Sequence, residues 1–415
     1  MNKIVLAYSG GLDTSIAIRW LAEQYDAEVV ALTVDLGAND RDLHQIRERA
    51  LRIGAVKAEV IDARAEFVNN YVFPALRAGA IYEGKYPLAT ALGRPLIARL
   101  QVELARREGA NMIAHGCTGK GNDQVRFDVT TAALAPDLKV IAPAREWGMT
   151  REQEIAYAAE RDIPITVTKK SPYSIDQNLW GRSIEAGVLE DPWVEPPADV
   201  YQWTVDPDQA PDEPAYLEID FVQGVPVALN GQPMDGVSLI NRVHEIAGAH
   251  GVGRIDSIEN RLVGIKSREI YEAPAAVVLH QAHAALEDLT LTRDASRFKA
   301  IVAQECANLI YNGLWYSALH QDLQAYVASS QRHVTGTVRV KLHKGNSIVV
   351  GRKAERSLYS FSLATYDEGD AFDAKASVGF IKLWGLPVRT QAQAQPPVAA
   401  PEPADVLPRV LEPEK

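Results

Sequence analysis

Apolar residues in the first part of the chain fall into short runs separated by stretches with helical spacing. Ile4 to Tyr8, Glu28 to Val34, Val56 to Ile61, Met112 to Ala114 and Val140-Ile141 are runs too short for helices and suited to buried strands. Between them, Ile16, Ala17, Trp20 and Leu21 form a stripe behind Asp13-Thr14-Ser15, residues that cap or open a helix. Leu43, Ile46, Ala50 and Ile53 form a second stripe, capped by Asn39 or Asp40 and ended by Gly54. Pro95 and Gly109 bracket a third helix with Leu96, Ile97, Leu100 and Leu104 inward. Thr150 with Gln153 reads as a capping box. Strands alternating with helices predict an α/β domain, a parallel sheet covered on both faces. Ligands bind beyond the carboxyl ends of such strands, a rule that gathers Ser9–Ser15, the Val34-Asp35 end and His115–Arg126 at one edge.

Near Thr168 the rhythm changes. Ser183 to Asn241 holds no Lys or Arg, and its prolines, from Pro192 to Pro214, predict extended or looped chain. Beyond it, Glu218 to Leu229 alternates about Gln223-Gly224, and Val338–Leu342 and Ile348–Val350 flank Lys344-Gly345-Asn346, giving two hairpins. Val243–Ala249, Pro274–Leu291 and Ser296–Tyr311 read as helices. The expectation is an α/β domain over 1–168 and an α+β domain over 169–356. Gln391–Pro403 is rich in Gln, Ala and Pro and reads as part of a disordered tail over 388–415.

Composition narrows the function. With 43 basic and 54 acidic residues among 415, the formal charge of −11 argues against nucleic acid as the main partner. Cys117 and Cys306 are too far apart in sequence to suggest a disulfide framework or a paired metal motif, and no metal-ligand set is assigned. A strand that starts almost at the first residue leaves no room for a signal peptide, and no apolar run reaches membrane-spanning length, so a cytoplasmic protein is expected.

The chemistry concentrates in four stretches. In Ser9-Gly-Gly-Leu-Asp-Thr-Ser15 a glycine turn feeds a helix N-terminus, whose free N–H groups and positive dipole end suit a phosphate. It is neither a Walker loop nor a dinucleotide fingerprint; it resembles the PP-loop of ATP pyrophosphatases, which split ATP between its α and β phosphates. Ala114–Arg126 combines glycines 116, 119 and 121 with Thr118, Lys120, Asn122, Asp123 and Arg126, a mixture suited to a ligand with amine and carboxylate groups. Ser171–Ser183 alone reads as a polar turn, and Glu259–Tyr271 alone as a solvated strand or loop.

Together these stretches resemble the argininosuccinate synthase family from Lys3 to about Leu383, as do Gly187-Val-Leu-Glu-Asp-Pro-Trp193 and His250-Gly-Val-Gly-Arg254. The resemblance implies an AMP-forming ligase of arginine biosynthesis that joins citrulline and aspartate through a citrullyl-AMP intermediate, releasing AMP and pyrophosphate. By position, it implies ATP contacts from Ala7, Tyr8, Ser9, Gly10, Gly11, Leu12, Asp13, Thr14, Ser15, Val34 and Gly116, with Mg²⁺ assisting. Thr118, Asn122 and Asp123 would bind aspartate; Tyr86, Asn122, Arg126, Ser174, Ser183, Glu259 and Tyr271 would bind citrulline. Glu259 suits the citrulline α-amine and Arg126 its carboxylate. Asp13 and Asp123 are the candidate catalytic carboxylates, and Asp13 reads equally well as a helix cap. The family is typically a homotetramer with a C-terminal arm, here 357–387. Ala91 stands where the family has a citrulline-binding serine, a contact either missing or supplied by Thr90, and Trp180-Gly181-Arg182 is unusual for the family. Rival readings are a tRNA-modifying PP-loop enzyme, which the charge and the unpaired Cys117 oppose, and a non-catalytic nucleotide sensor, which would not need the crowded 116–126 loop.

Overall fold

Successive side chains of β1 (Asn2–Ala7) enter two different cores. Ile4 and Leu6 join the apolar faces of the helices Leu12–Tyr25 and Leu43–Ile53, while Val5 joins that of the helix Ala89–Glu108. β2 (Ala27–Asp35) does the same, with Val29 and Ala31 on one side and Val30 and Leu32 on the other. This two-residue alternation, apolar on both sides, is what a strand buried between helix layers requires. The computed structural model describes residues 2–38, 42–164 and 173–395. β3 (Lys57–Asp62), β4 (Met112–His115) and β5 (Lys139–Ile141) complete a parallel sheet in the order β3-β2-β1-β4-β5. The chain runs outward from β1 on one side and returns to its other side through β4, so the strand order reverses between β1 and β4. A crevice opens at such a switch point. Buried Gln101 fixes the two strands beside it, donating to the carbonyls of Val5 (2.8 Å) and Ala114 (2.7 Å).

Several helix starts differ from the sequence expectation: the helices expected from Val243 and Ser296 begin at Gly236 and Arg293, behind the caps Asp235 and Thr292. The third helix begins at Ala89, so Pro95 lies inside it and not at its first turn. The hydroxyl of Tyr86 accepts from the Thr90 N–H (2.9 Å) and approaches that of Ala91 (3.4 Å), satisfying donors at the true N-terminus. Burial of Leu92, Leu96 and Leu100 then outweighs the single hydrogen bond that proline forgoes. The second helix is capped by Asp42, which accepts from Gln45 N–H at 2.9 Å; Asn39 and Asp40 lie outside the described residues. The capping box of Thr150 and Gln153 is present. The expected change near Thr168 also lies outside the described residues.

Among the described residues nine further strands follow: β6 (Ser174–Asn178), β7 (Gly181–Glu185), β8 (Ala215–Val222), β9 (Val225–Leu229), β10 (Gln232–Pro233), β11 (Arg254–Asn260), β12 (Lys266–Glu272), β13 (Gly336–His343) and β14 (Asn346–Lys353). They form two antiparallel sheets, β10-β9-β8-β13-β14 and β11-β12-β7-β6. Both expected hairpins are present. Helices Gly236–Ala249, Pro274–Thr290 and Arg293–Tyr311 add apolar faces to the same core as Val5. One compact unit extends to Leu358 and a second begins at Tyr359. In the second unit the helix Leu386–Ala394 runs through the boundary drawn at 388; proline in its first turn and the run Arg389–Ala394 favour it.

Candidate active site

At the switch point the phosphate loop is built as an open helix end. Gly10 holds φ +78°, and Gly11 caps the helix Leu12–Tyr25 without any side-chain bond. Asp13 is therefore a first-turn residue and not the cap. The first bond of the helix runs from Ser15 N–H to the Gly11 carbonyl (3.0 Å), so the N–H groups of Leu12, Asp13 and Thr14 have no partner within the helix. Ser9 Oγ steadies the turn, lying 3.0 Å from Thr14 Oγ1 and accepting from Gly11 N–H at 3.3 Å. Gly116, beyond the end of β4, closes over it: a Cβ there would sit 2.6 Å from Thr14 Cγ2. A cavity of about 190 Å³ lies along this edge, lined among others by Ala7, Tyr8, Ser9, Thr14, Val34 and Gly116. Gly10, Gly11, Leu12, Asp13 and Ser15 shape the loop behind that lining. His115 accepts the Cys117 N–H at Nδ1 (3.2 Å), which leaves its proton on Nε2 facing Asp128 Oδ1 at 2.8 Å.

Beside the loop, burial pushes the Asp13 carboxyl up, with its own backbone N–H pulling the other way. Glu154, buried on the helix Arg151–Glu160, is pushed up to about 7 by burial and by the charge of Asp13. These are two hard oxygen donors next to the phosphate loop. Among the described residues no group of three or more His, Cys, Asp or Glu could hold a metal. Neither carboxylate lines the cavity along the loop, and Mg²⁺ generally takes one or two carboxylates and otherwise binds substrate phosphates.

A second cavity, about 380 Å³, adjoins the first, and Ser9, Arg94, Gly116, Cys117 and Asp176 line both. The four-stranded sheet forms much of its wall by alternation. Asp176, Ser183 and Tyr271 lie opposite one another across β6, β7 and β12, and Ser174, Glu185, Glu259 and Glu269 line the same cavity. Arg182, one residue out of step with Ser183, points to the other face. There it pairs with fully buried Glu272 at 2.8 Å, and Glu272 also accepts from the N–H groups of Gln202, Trp203 and Thr204. Trp180 is likewise buried, its indole N–H on the Pro87 carbonyl (2.8 Å). The unusual Trp180-Gly181-Arg182 stretch therefore builds core and leaves the cavity wall untouched. Thr90 lines the cavity, whereas Ala91 is fully buried outside the lining, so Thr90 is the residue placed to offer a hydroxyl.

Electrostatics at the centre rest on Asp123. Arg94 donates to its Oδ2 from Nε (2.9 Å) and Nη2 (2.8 Å), and Arg126 to its Oδ1 (2.8 Å). Burial acts to raise the Asp123 pKa, but the two guanidinium groups outweigh it and hold the carboxyl below its usual range. Arg94 also reaches Asp176. Arg126 is buried, and its Nη2 has no partner among the described residues. Glu259 accepts from Tyr271 and Tyr311; burial raises its pKa and the two phenol donors oppose the rise. Asn122 donates to Tyr311 (2.8 Å) and accepts from Leu262 N–H (3.0 Å). Tyr86 stacks on Tyr271, ring centroids 4.4 Å apart. Thr118 and Ser174 line the cavity from its more exposed side.

Sequence reasoning missed Arg94, Asp176, Arg261, Glu269 and Tyr311. Asp176, Arg261 and Glu269 fall inside stretches it had marked. Glu269 is pushed up to about 8 by burial and by neighbouring Glu185, against Arg261, which donates to it at 2.6 Å. Arg94 and Tyr311 sit in ordinary-looking helices, and only Gly313 hinted at a close approach: a Cβ there would lie 2.9 Å from Arg126 Cα.

Comparison with known proteins covers nearly the whole chain. Residues 3–164 match the family model of the arginosuccinate synthase N-terminal HUP domain, and residues 173–391 that of the arginosuccinate synthase C-terminal domain. An argininosuccinate synthase of Dehalococcoides mccartyi is 60% identical over 395 residues, 95% of this chain and 97% of the relative. That of Symbiobacterium thermophilum is 60% identical over 95% of this chain and 98% of its own length, and that of Chlorobium phaeobacteroides 56% over 95% and 99%. A solved U34-tRNA thiolase from Methanococcus maripaludis shares 13% identity, with 41% of this chain and 61% of that one covered. Its TM-score of 0.25 is too low to bear on function.

Proposed function

The chain belongs to the argininosuccinate synthase family, and we propose that its two adjoining cavities hold ATP and the amino acids so that they meet at the shared wall. The reaction is ATP-dependent ligation of citrulline and aspartate to argininosuccinate, a step of arginine biosynthesis. The observation that carries the division is that wall. Ser9, Gly116 and Cys117 border the phosphate side and the amino-acid side at once.

In this reading the phosphate chain lies on the Leu12–Thr14 N–H groups, with Ala7, Tyr8 and Val34 along the nucleoside. Glu259 takes the citrulline α-amine and the free Nη2 of Arg126 its carboxylate, while Ser174, Ser183 and Tyr86 border the side chain. Thr118, Asn122 and Asp123 take aspartate. The ureido carbon is a poor electrophile because its nitrogens donate into the carbonyl. Attack of the ureido oxygen on the α-phosphorus forms an O–P bond, breaks the α–β bridge and expels pyrophosphate. The aspartate amine then adds to the activated carbon, loses a proton, and AMP departs with the former ureido oxygen. The protein supplies position and charge, and no side chain has to act as a nucleophile. Mg²⁺, held by Asp13, Glu154 and the phosphates, would offset negative charge on the leaving pyrophosphate. A homotetramer and a cytoplasmic location belong to the same reading.

The test is pyrophosphate release from ATP with ¹⁸O in the ureido group. Release should require citrulline, and the AMP formed on adding aspartate should carry the label. ADP and phosphate, or unlabelled AMP, would overturn the reading. Glu154→Gln should raise the Mg²⁺ concentration needed for half-maximal release.

A further inference from the structure

Three groups assigned above to the amino-acid substrates converge on a residue with no assigned role. Tyr311, buried at the end of the helix Arg293–Tyr311, places its hydroxyl 3.0 Å from Glu259 Oε2 and 2.8 Å from Asn122 Nδ2. The amide nitrogen can only donate, so the phenol proton is directed at Glu259. Asn122 Oδ1 meanwhile accepts from Leu262 N–H, which fixes which way the amide faces. The Tyr311 carbonyl accepts from Arg126 Nε at 3.0 Å, and the guanidinium carbon stands 5.0 Å from the phenol ring centroid. The ring itself lies flat on Tyr82, centroids 3.6 Å apart at 6°.

We propose that Tyr311 is a positioning residue that holds the anionic Glu259 and the cationic Arg126 at the spacing of an α-amino acid's ammonium and carboxylate, and so selects the acceptor by its α-amino acid end. The proposal rests on the assignment of Glu259 and Arg126 to citrulline. Arg126 is tied through the backbone of residue 311 and Glu259 through its hydroxyl, so one residue links the two recognition groups, whose other ties run separately to Asp123 and Tyr271. Glu259 has two hydroxyl donors, Tyr271 and Tyr311, and is 3% exposed, so each donor bears directly on its orientation.

Tyr311→Phe keeps the ring stack and the backbone bond to Arg126 and removes only the hydroxyl. We expect KM for citrulline to rise about tenfold, the fold-change of one hydrogen bond to a charged group, with KM for ATP unchanged. Discrimination between citrulline and 5-ureidopentanoate, which lacks the α-amine, should narrow. The groups that face Glu259 are Tyr271 and Glu269 from β12, Arg126 from the helix Asp123–Leu134, Tyr82, Glu83 and Tyr86 from the segment before the helix Ala89–Glu108, and Tyr311 itself. Loss of a donor to the carboxylate favours its protonated form, so the acid limb of kcat/KM for citrulline should move to higher pH. Glu259→Gln is the companion variant. If it raises KM for citrulline while Tyr311→Phe does not, or if Tyr311→Phe impairs ATP and citrulline equally, the positioning role is overturned. If Glu259→Gln leaves KM for citrulline unchanged, the assignment beneath the proposal falls, and the proposal with it.

Discussion

Cys117 lines both cavities, where a thiol invites the idea of covalent catalysis. Burial, reinforced by the charge of Asp123, pushes that thiol well above its ordinary range despite the opposing Arg94. A thiol without a thiolate fraction is a poor nucleophile, so Cys117→Ala should keep kcat within about twofold and the native thiol should resist iodoacetamide. A kcat that collapses in the alanine variant would place the sulfur in the chemistry. Gly10 is the opposite case. Its φ is +78°, and a Cβ on it would lie only 3.1 Å from Ile46 Cγ1, which leaves no room for a branched side chain. Gly10→Val should abolish ATP binding in equilibrium measurements while circular dichroism stays native. Retained ATP affinity would mean the turn tolerates a reshaped backbone. The two cavities also mark what a sequence can disclose. Gly10 was legible because loop, strand and helix are contiguous, and each local rule pointed the same way. Tyr311 was not, because its partners lie 52 and 189 residues away and only the fold brings them together.

Elements were legible wherever local signals agreed, and mistaken where one proline or one polar residue was read without its tertiary partners. Pro95 suggested a helix start, but the start is stabilised from outside by the Tyr86 hydroxyl. Trp180-Gly181-Arg182 is unusual for the family, but these residues do not share one surface with Ser183. The two-residue period of β7 sends Ser183 to the cavity and Arg182 to Glu272. That pair ties β7 to β12 and, through the N–H groups of residues 202–204, ties both to the proline-rich crossing segment. Removing one member leaves a buried charge without compensation, so Glu272→Ala should cost about 3–5 kcal/mol in denaturant unfolding. An unfolding midpoint close to the parent's would show that the segment is held by other contacts. Glu272 does not line the cavity, so its effect on activity should follow the folded fraction.

At the scale of the whole molecule the open matter is what covers the C-terminal unit. The second unit begins at Tyr359 and is described to residue 395. Its helices Ala376–Trp384 and Leu386–Ala394 bury none of their residues, and Phe361, Phe380 and Trp384 remain more than half exposed. Exposed apolar area costs about 25 cal/mol per Å², and a cluster of aromatics in water marks a contact surface. The family model runs to residue 391, so it takes in the helix Ala376–Trp384 and the first part of the helix Leu386–Ala394. A second copy of the chain is the partner that the tetramer reading supplies. Two deletions divide the possibilities. Because the last helix among the described residues ends at Ala394, the shorter deletion begins after Gln395, and it should leave size and activity unchanged. Deletion from Tyr359 leaves residues 1–358 with their core, so a folded protein is expected, but one of lower mass by light scattering. A tetramer that survives the longer deletion would assign assembly to the surface of residues 1–358, and dissociation by the shorter one would assign it to the residues beyond 395.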